Sequence, residues 1–461
     1  MPKPLIKIII LFVFILNLGK LIAGEGLITV TFGNNKTCTY PNTLKLAGKT
    51  IHFDISALAK GTRLSRAVIR VPQKKIKFNT DFNLIAANQS NAKALKACGP
   101  DFKRLDALAI CKAWLKDPAK NKGLLLKANN RNINTKHLVL ELSFIGPVKE
   151  KIPSVSNLKI SHREGQTFIT WKEPNDIVAE DNPKFELWEK NILAAQKKRS
   201  LVYRVYRHNK PINATTISAA KLVREIPEAL SCWNKLAIQT LEFPPGTKRS
   251  PLWPGKIKID QVVTRYVIKE GEEAISRTTG LAVISAAKKG IRYYAVSIAI
   301  NGKESIASFK KGKNASGPIK EVKMVFPQFV TFRKIIPKKN RLSKDPHINV
   351  RVAWLEPPYV TKPGPTQFYF CDYPKAAKGT QEKKAPFFLY LSQYGASSRN
   401  LGNPLWISTK AAMTQVSGIA FAESEDAFWA GQHQSVGTLR KHDEGIVINH
   451  GQRRIMASIA W

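Results

Sequence analysis

A chain of 461 residues is too long for a single hydrophobic core and implies about three domains. Its hydrophobic fraction of 43% is that of an ordinary folded protein, which excludes a wholly disordered chain, but its formal net charge of +41 is not ordinary. Such a charge suits anionic partners, but its lysines scatter over sites such as Lys74-Lys75, Lys310-Lys311 and Lys383-Lys384; this reads as a generally basic surface of solvated loops rather than one binding stripe, and neither zinc-finger spacing nor an aromatic RNA-binding signature marks a nucleic-acid reader.

The first element is a leader. Lys3 and Lys7 precede an apolar run from Ile8 to Leu16, and Leu21-Ile22-Ala23-Gly24 forms a small-residue exit. This is the layout of a secretory signal peptide over residues 1–24, cleaved near Ala23, and the run is shorter than the roughly 20 apolar residues of a spanning helix. The expectation is an exported protein, extracellular or periplasmic, with no transmembrane segment after cleavage. An uncleaved anchor is the plainer alternative.

Residues 25–150 read as β. Ile28 to Phe32, Ile51 to Ile55, Ala67 to Val71 and His137 to Leu142 alternate at the strand period, while Ala92 to Leu126 looks helical and loop-like. The stretch from Phe53 to Val71 resembles the strand–turn–strand of bacterial surface jelly-roll modules, which implies a β-sandwich. Five cysteines, Cys38, Cys98, Cys111, Cys232 and Cys371, lack C-x-x-C spacing. Cys98 with Cys111 is the most local candidate pair, and isolated buried thiols are the alternative.

Residues 151–318 form the next unit. Val155 to Trp171 reads as two strands around Glu164-Gly165, Tyr203 to Arg207 as a short strand, and Ile291 to Ile300 as a strand leading to an Asn301-Gly302 hairpin turn. These features together resemble a fibronectin type III domain. The resemblance implies that Trp171 packs against Tyr294 across a sandwich, with Tyr203 in the same structural core. Ala179 to Arg199 and Lys221 to Glu272 exceed that family's loops, and Phe185 to Lys198 has the apolar spacing of an inserted helix.

Residues 319–461 begin with strands at Pro327–Phe332, Ile348–Trp354 and Phe368–Cys371. The apolar run Ala385 to Leu391 reads as a strand buried in a mixed or parallel sheet, Ser417 to Ala422 as another, and a helix starts near His450. This order resembles the first part of an α/β-hydrolase domain of secreted bacterial esterases. In that resemblance the loop after Leu391 is an oxyanion-hole loop, with backbone N–H groups near Gly395 and Ala396 as donors. It lacks the family's His and second Gly. G-x-S-x-G occurs nowhere, and the chain stops on the apolar stripe Ile455, Met456, Ile459 and Trp461, so a truncated chain without its nucleophile is expected.

Other constellations carry less. His433, His442 and His450 lie nine and eight residues apart, off any common helical face. Asp176, Glu180 and Asp181 lack a Gly-turned calcium loop, and Ser392, Ser397 and Ser398 have no base beside them in sequence. No cofactor or metal is implied. The fold class expected is thus mainly β and multidomain: a jelly-roll-like sandwich, a fibronectin type III-like sandwich with insertions, and a partial α/β unit. Two functions follow. One is an esterase-type hydrolase, inactive as given; the other is a non-catalytic binding or adhesion protein for acidic polysaccharide or cell-surface partners.

Overall fold

The computed structural model describes residues 24–71, 82–87, 93–99, 102–128, 134–174, 184–229, 231–234, 264–306, 309–335, 347–360, 363–372, 387–391, 417–421, 431–436 and 438–460. The expected leader, the loop bearing Gly395 and Ala396, the acidic trio Asp176, Glu180 and Asp181, and Ser392, Ser397 and Ser398 lie outside the described residues. No helix among the described residues is long and apolar enough to cross a membrane.

Strands dominate because side chains alternate. The first half contains β1 (Gly24–Phe32), β2 (Leu44–Ala47), β3 (Thr50–Phe53), β4 (Leu64–Arg70), β5 (Asn83–Ala86), β6 (Ala97–Cys98), β7 (Arg104–Asp106), helix α1 (Leu108–Lys116), β8 (Leu124–Ala128) and β9 (Val139–Val148). The second contains β10 (Ser156–Arg163), β11 (Gln166–Lys172), helix α2 (Phe185–Lys198), β12 (Leu201–His208), β13 (Lys221–Pro227), β14 (Trp233–Asn234), β15 (Thr264–Arg265), β16 (Thr279–Ser285), β17 (Gly290–Ile300), β18 (Lys303–Ser305) and β19 (Ile319–Glu321). Then follow β20 (Phe329–Ile335), β21 (His347–Leu355), β22 (Gly364–Asp372), β23 (Phe387–Leu391), β24 (Ser417–Phe421), β25 (Gln432–His433), β26 (Val447–Ile448) and helix α3 (His450–Ala460).

One ten-stranded sheet runs through both halves in the order β13-β12-β17-β18-β1-β9-β4-β7-β6, with β19 on β17. Its ladder crosses residue 150 where β18 pairs antiparallel with β1, Leu27 opposite Glu304. β18 arrives there through a two-residue turn, Asn301 at φ 50° and Gly302 at φ 80°, the paired left-handed geometry that Asn-Gly adopts without strain. Glu164 at φ 45° and Gly165 at φ 84° make the same kind of turn between β10 and β11.

This sheet curls. In a flat sheet the seven inter-strand steps from β13 to β7, at about 4.8 Å each, would hold those strands roughly 34 Å apart. Yet Arg104 on β7 donates to Glu225 on β13 at 3.1 Å. The sheet therefore wraps into a half-barrel, with that pair bridging its open side.

Two apolar cores sit on the convex face. In the first, Phe32, Ile69 and Leu140 of the large sheet meet Ile51, Phe53 and Leu124 of the four-stranded sheet β2-β3-β8-β5. Helix α1 closes this core with Cys111, Trp114 and Leu115, a spacing that places all three on one helical stripe, and the helix stops before Pro118. In the second, Tyr203, Val205, Tyr294 and Val296 of the large sheet meet Ile169, Trp171, Ala282 and Ile284 of the three-stranded sheet β10-β11-β16. Helix α2 buries Trp188 and Ile192.

A five-stranded sheet follows the order β20-β21-β22-β24-β23. All its pairings are antiparallel except β23 with β24, which run parallel. Two expectations need correction. Cys111 is a thiol buried in the first core, so the local Cys98–Cys111 bridge does not form. The segment from Ala92 to Leu126, expected to be helix and loop, also holds β6, β7 and β8. The first two are only two and three residues long, too short for a period to register.

Gly280 lies directly across the ladder from Trp171, and a methyl group there would fall inside the indole. Gly280→Ala is therefore expected to lower unfolding stability by about 1–3 kcal/mol. Urea denaturation checks this, and an unchanged midpoint would mean that the indole is not seated on β16.

Candidate ligand-binding cavity

The same alternation that puts Tyr203 and Val205 into the second core turns Arg204 and Tyr206 to the concave face. There the ladder sets polar residues side by side on neighbouring strands: Glu225 and Ser297 flank Arg204, and Ser143 stands opposite Thr29 and beside Arg66. The row crosses the seam because Glu304 of β18 belongs to it. Glu304 ion-pairs with Arg204 and accepts a bond from Ser297; the Tyr206 hydroxyl lies 3.0 and 2.9 Å from its two carboxylate oxygens and donates to them. Arg204 donates also to Thr29 Oγ1 at 2.9 Å and to Glu225 at 3.3 Å, and Thr29 meets Ser143 at 2.9 Å.

The charges are tied down by one another. The Glu304 side chain is 1% exposed and that of Arg204 6%, so neither has water to fall back on. Burial alone would lower the Arg204 pKa, but Glu304, Tyr206 and Glu225 outweigh it and hold the guanidinium charged. Burial likewise pushes Glu225 up, while Arg204, Arg104 and Arg66 overcome it and hold the carboxyl below its ordinary value. Farther along the concave face Glu141 takes Arg66 and, at 3.2 Å, Arg70.

Arg66, Ser143, Arg204 and Tyr206 of this row line a cavity of about 830 Å³. The walls come from β4, β7, β12 and β13, the 217–220 turn, and the 434–440 and His450 regions. Six arginines (Arg66, Arg104, Arg204, Arg207, Arg224 and Arg440) and Lys221 line it, against Asp106 and Glu356 as the only lining carboxylates among the described residues. Volume and polarity fall in the range of small-ligand sites. No metal-holding group of three His, Cys, Asp or Glu residues occurs among the described residues.

Of the residues singled out from sequence, His450 and Cys98 border the cavity and the others described lie elsewhere. Trp171, Tyr203 and Tyr294 are fully buried in the second core. The indole of Trp171 meets Tyr203, at 5.3 Å between ring centres, and the Tyr294 hydroxyl bonds Glu321. His433 sits on β25 with its Nδ1 2.7 Å from Ser435 Oγ, and His450 bonds the Pro358 carbonyl at 2.7 Å. Gly395 and Ala396 are outside the described residues. Reading the sequence missed Arg204, Glu225 and Glu304. A signal existed for the first: in Tyr203-Arg204-Val205-Tyr206-Arg207 the period of two places Arg204 and Tyr206 together, opposite the apolar side. Family models, curated proteins and solved structures were compared with the chain, and none matches it.

A second buried acid stands apart from the cavity. Glu173 accepts from the Ala229 amide at 2.9 Å. Burial pushes its carboxyl up to about 7, with Glu228 adding to the rise and the Ala229 N–H opposing it.

Two outcomes follow from these environments. Arg204→Met strands the Glu304 charge and should cost about 3–5 kcal/mol of stability, while adding Glu304→Leu should recover most of that loss. Equilibrium denaturation of the two variants measures both, and equal stability of single variant and wild type would break the account of the seam. For Glu173 the folded carboxyl keeps a proton that the unfolded chain releases. Stability should therefore fall as pH rises from about 4.5 to about 7, by roughly 3 kcal/mol at most. Denaturation at pH 5 and pH 8 should show that slope flattened in Glu173→Gln; an unaltered slope would assign it to another group.

Proposed function

We propose that this chain is an exported, non-catalytic binding protein that takes an acidic polysaccharide at its basic cavity. The observation that carries the reading is the cationic lining of that cavity: five of its seven cationic side chains are balanced by carboxylates, while Arg440 and Lys221 make no ion pair among the described residues, in a protein of net charge +41. A concave surface of one sign concentrates field lines and draws in ligands of the opposite sign. Arginine forks also suit carboxylate and sulfate groups, which they can bind with two parallel hydrogen bonds.

Export is supported by the basic start, the apolar run Ile8 to Leu16 and the small-residue exit at Ala23-Gly24. The jelly-roll-like and fibronectin type III-like readings of the two halves are supported by their arrangement. Each has a small sheet facing the large one across an apolar core, and in the second half that core holds Trp171, Tyr203 and Tyr294. In this reading both modules are scaffold, and the cavity lies on the sheet they share.

A second reading, an incomplete α/β-hydrolase-like unit in residues 319–461, is favoured by the parallel pairing of β23 with β24. Parallel neighbours require a crossover connection, the basic unit of α/β architecture. Here the oxyanion-hole assignment of Gly395 and Ala396 rests on the resemblance.

Retention on an immobilised acidic polysaccharide tests the first reading. The protein should be held at about 0.1 M salt, where the screening length is about 10 Å, and released near 1 M, where it is about 3 Å. A neutral polysaccharide should not retain it. Failure to bind the acidic matrix at low salt would sink the binding reading. Turnover of a small chromogenic ester, abolished by a serine-directed inhibitor, would instead establish the hydrolase reading for this chain.

A further inference from the structure

Five of the six arginines around the cavity are committed to carboxylates: Arg66 to Glu141, Arg104 to Glu225, Arg204 to Glu304, Arg207 to Glu321 and Arg224 to Glu356. Arg440 differs. Among the described residues it makes no ion pair; its guanidinium carbon lies 3.5 Å from the centre of the Phe102 ring. Arg440 is half-buried, so its charge has given up part of its hydration, and Glu444, the acid whose charge acts on it, makes no ion pair with it. Cation–π stacking offsets that loss only in part.

The platform beneath Arg440 is itself unusual. Phe102 holds φ at 50°, a left-handed conformation that is costly for a bulky side chain. It is kept there from both sides, its own N–H on the Gly99 carbonyl at 3.4 Å and its carbonyl taking the Leu439 N–H at 2.8 Å. That second bond fixes the 438–440 segment against the first half of the chain, and with it the position of Arg440 at the cavity wall.

We infer that Arg440, stacked on Phe102, anchors the acidic group of a sugar residue whose hydroxyls lie in the cavity beside it. The inference rests on the binding reading above and narrows it to one anchor. A volume of about 830 Å³ is far more than a single inorganic anion fills and accommodates an oligosaccharide end. Ser65, Ser218, Thr438 and Gln434 supply hydroxyl and amide groups around it, which suits a polyhydroxylated ligand. A nucleobase is poorly served, because of the two phenyl-type rings of the lining Phe102 is covered by Arg440 and Tyr206 is itself buried.

The test is calorimetric titration of the full chain with trigalacturonate, with neutral galactotriose and with inorganic sulfate. Trigalacturonate should bind, and the neutral trisaccharide should not. Arg440→Gln should weaken trigalacturonate at least about tenfold, the scale of one lost charged hydrogen bond. Arg440→Lys, which keeps the charge but loses the fork, should fall between that variant and wild type, and exposed Lys159→Gln should change nothing. Thermal melting confirms that each variant is folded, and Arg440→Lys carries the test if Arg440→Gln is not. Wild-type affinity in Arg440→Gln, or in Arg440→Lys where that variant carries the test, equal binding of the neutral trisaccharide, or sulfate binding as tightly as trigalacturonate would each overturn the inference. If the acidic polymer is retained while trigalacturonate does not bind, the anchor is wrong and the binding reading stands. If neither is held, both fall.

Discussion

The structure turns on one buried ion pair, Arg204 with Glu304. β18 is only three residues long, yet it is the strand through which the ladder passes from β17 to β1. A strand that short has few backbone bonds to hold its place. Glu304 makes up the difference by reaching β12 through Arg204 and Tyr206 and β17 through Ser297. Withdrawing two charges from water is costly, and a pair so placed favours a fold only when its remaining hydrogen-bonding capacity is filled. Here Thr29, Tyr206, Ser297 and Glu225 fill it. The pair's contribution is to specify register: with Leu27 opposite Glu304, a one-residue slip would turn Glu304 to the convex side.

The close approach of backbones at this point has a sequence cost. A side chain on Gly26 would collide with Val148 and the Glu304 carbonyl, and one on Gly302 with the Thr29 carbonyl, which lies against the turn because the Thr29 amide bonds Gly302 at 2.8 Å. Once β18 and β1 are joined, the division of labour between the faces follows from the pleat. Two apolar cores form on the outward side beneath two separate small sheets; the inward side carries the polar row, where curvature brings it together, beside a smaller apolar cluster with Leu27 and Ala295. The cavity is a product of that curvature, since Arg104 and Glu225 sit seven strands apart along the sheet and touch only because it bends.

What could be read from sequence was what is local. The hairpins at Glu164-Gly165 and Asn301-Gly302 announce themselves because a left-handed turn favours glycine, and at the second turn asparagine as well. Helix α2 showed in the spacing of Trp188 and Ile192, and the mainly β character in simple alternation. Long-range pairing left no such trace: nothing in Gly26-Leu27-Ile28 says that it meets Lys303-Glu304-Ser305. The arginines were visible only as charge, and a total of +41 does not tell paired residues from unpaired ones. Arg204 reads as one more basic residue until Glu304, a hundred positions away, is seen beside it. Of the two readings left open for the cysteines, the buried thiol holds for Cys111 and the local bridge to Cys98 fails, for a similar reason. Proximity in sequence ignored that helix α1 turns Cys111 into the apolar core.

A sheet shared across residue 150 should make the two halves open together. Native-state amide hydrogen exchange in graded denaturant measures this directly, with Val30 and Leu140 reporting on the first half and Val205 and Val296 on the second. All four are buried strand residues of the same sheet. The account predicts that they exchange through one opening, with a common free energy and a common denaturant dependence. If Val30 and Leu140 exchange at distinctly lower free energy than Val205 and Val296, the halves are independent and the Arg204–Glu304 seam does not join them.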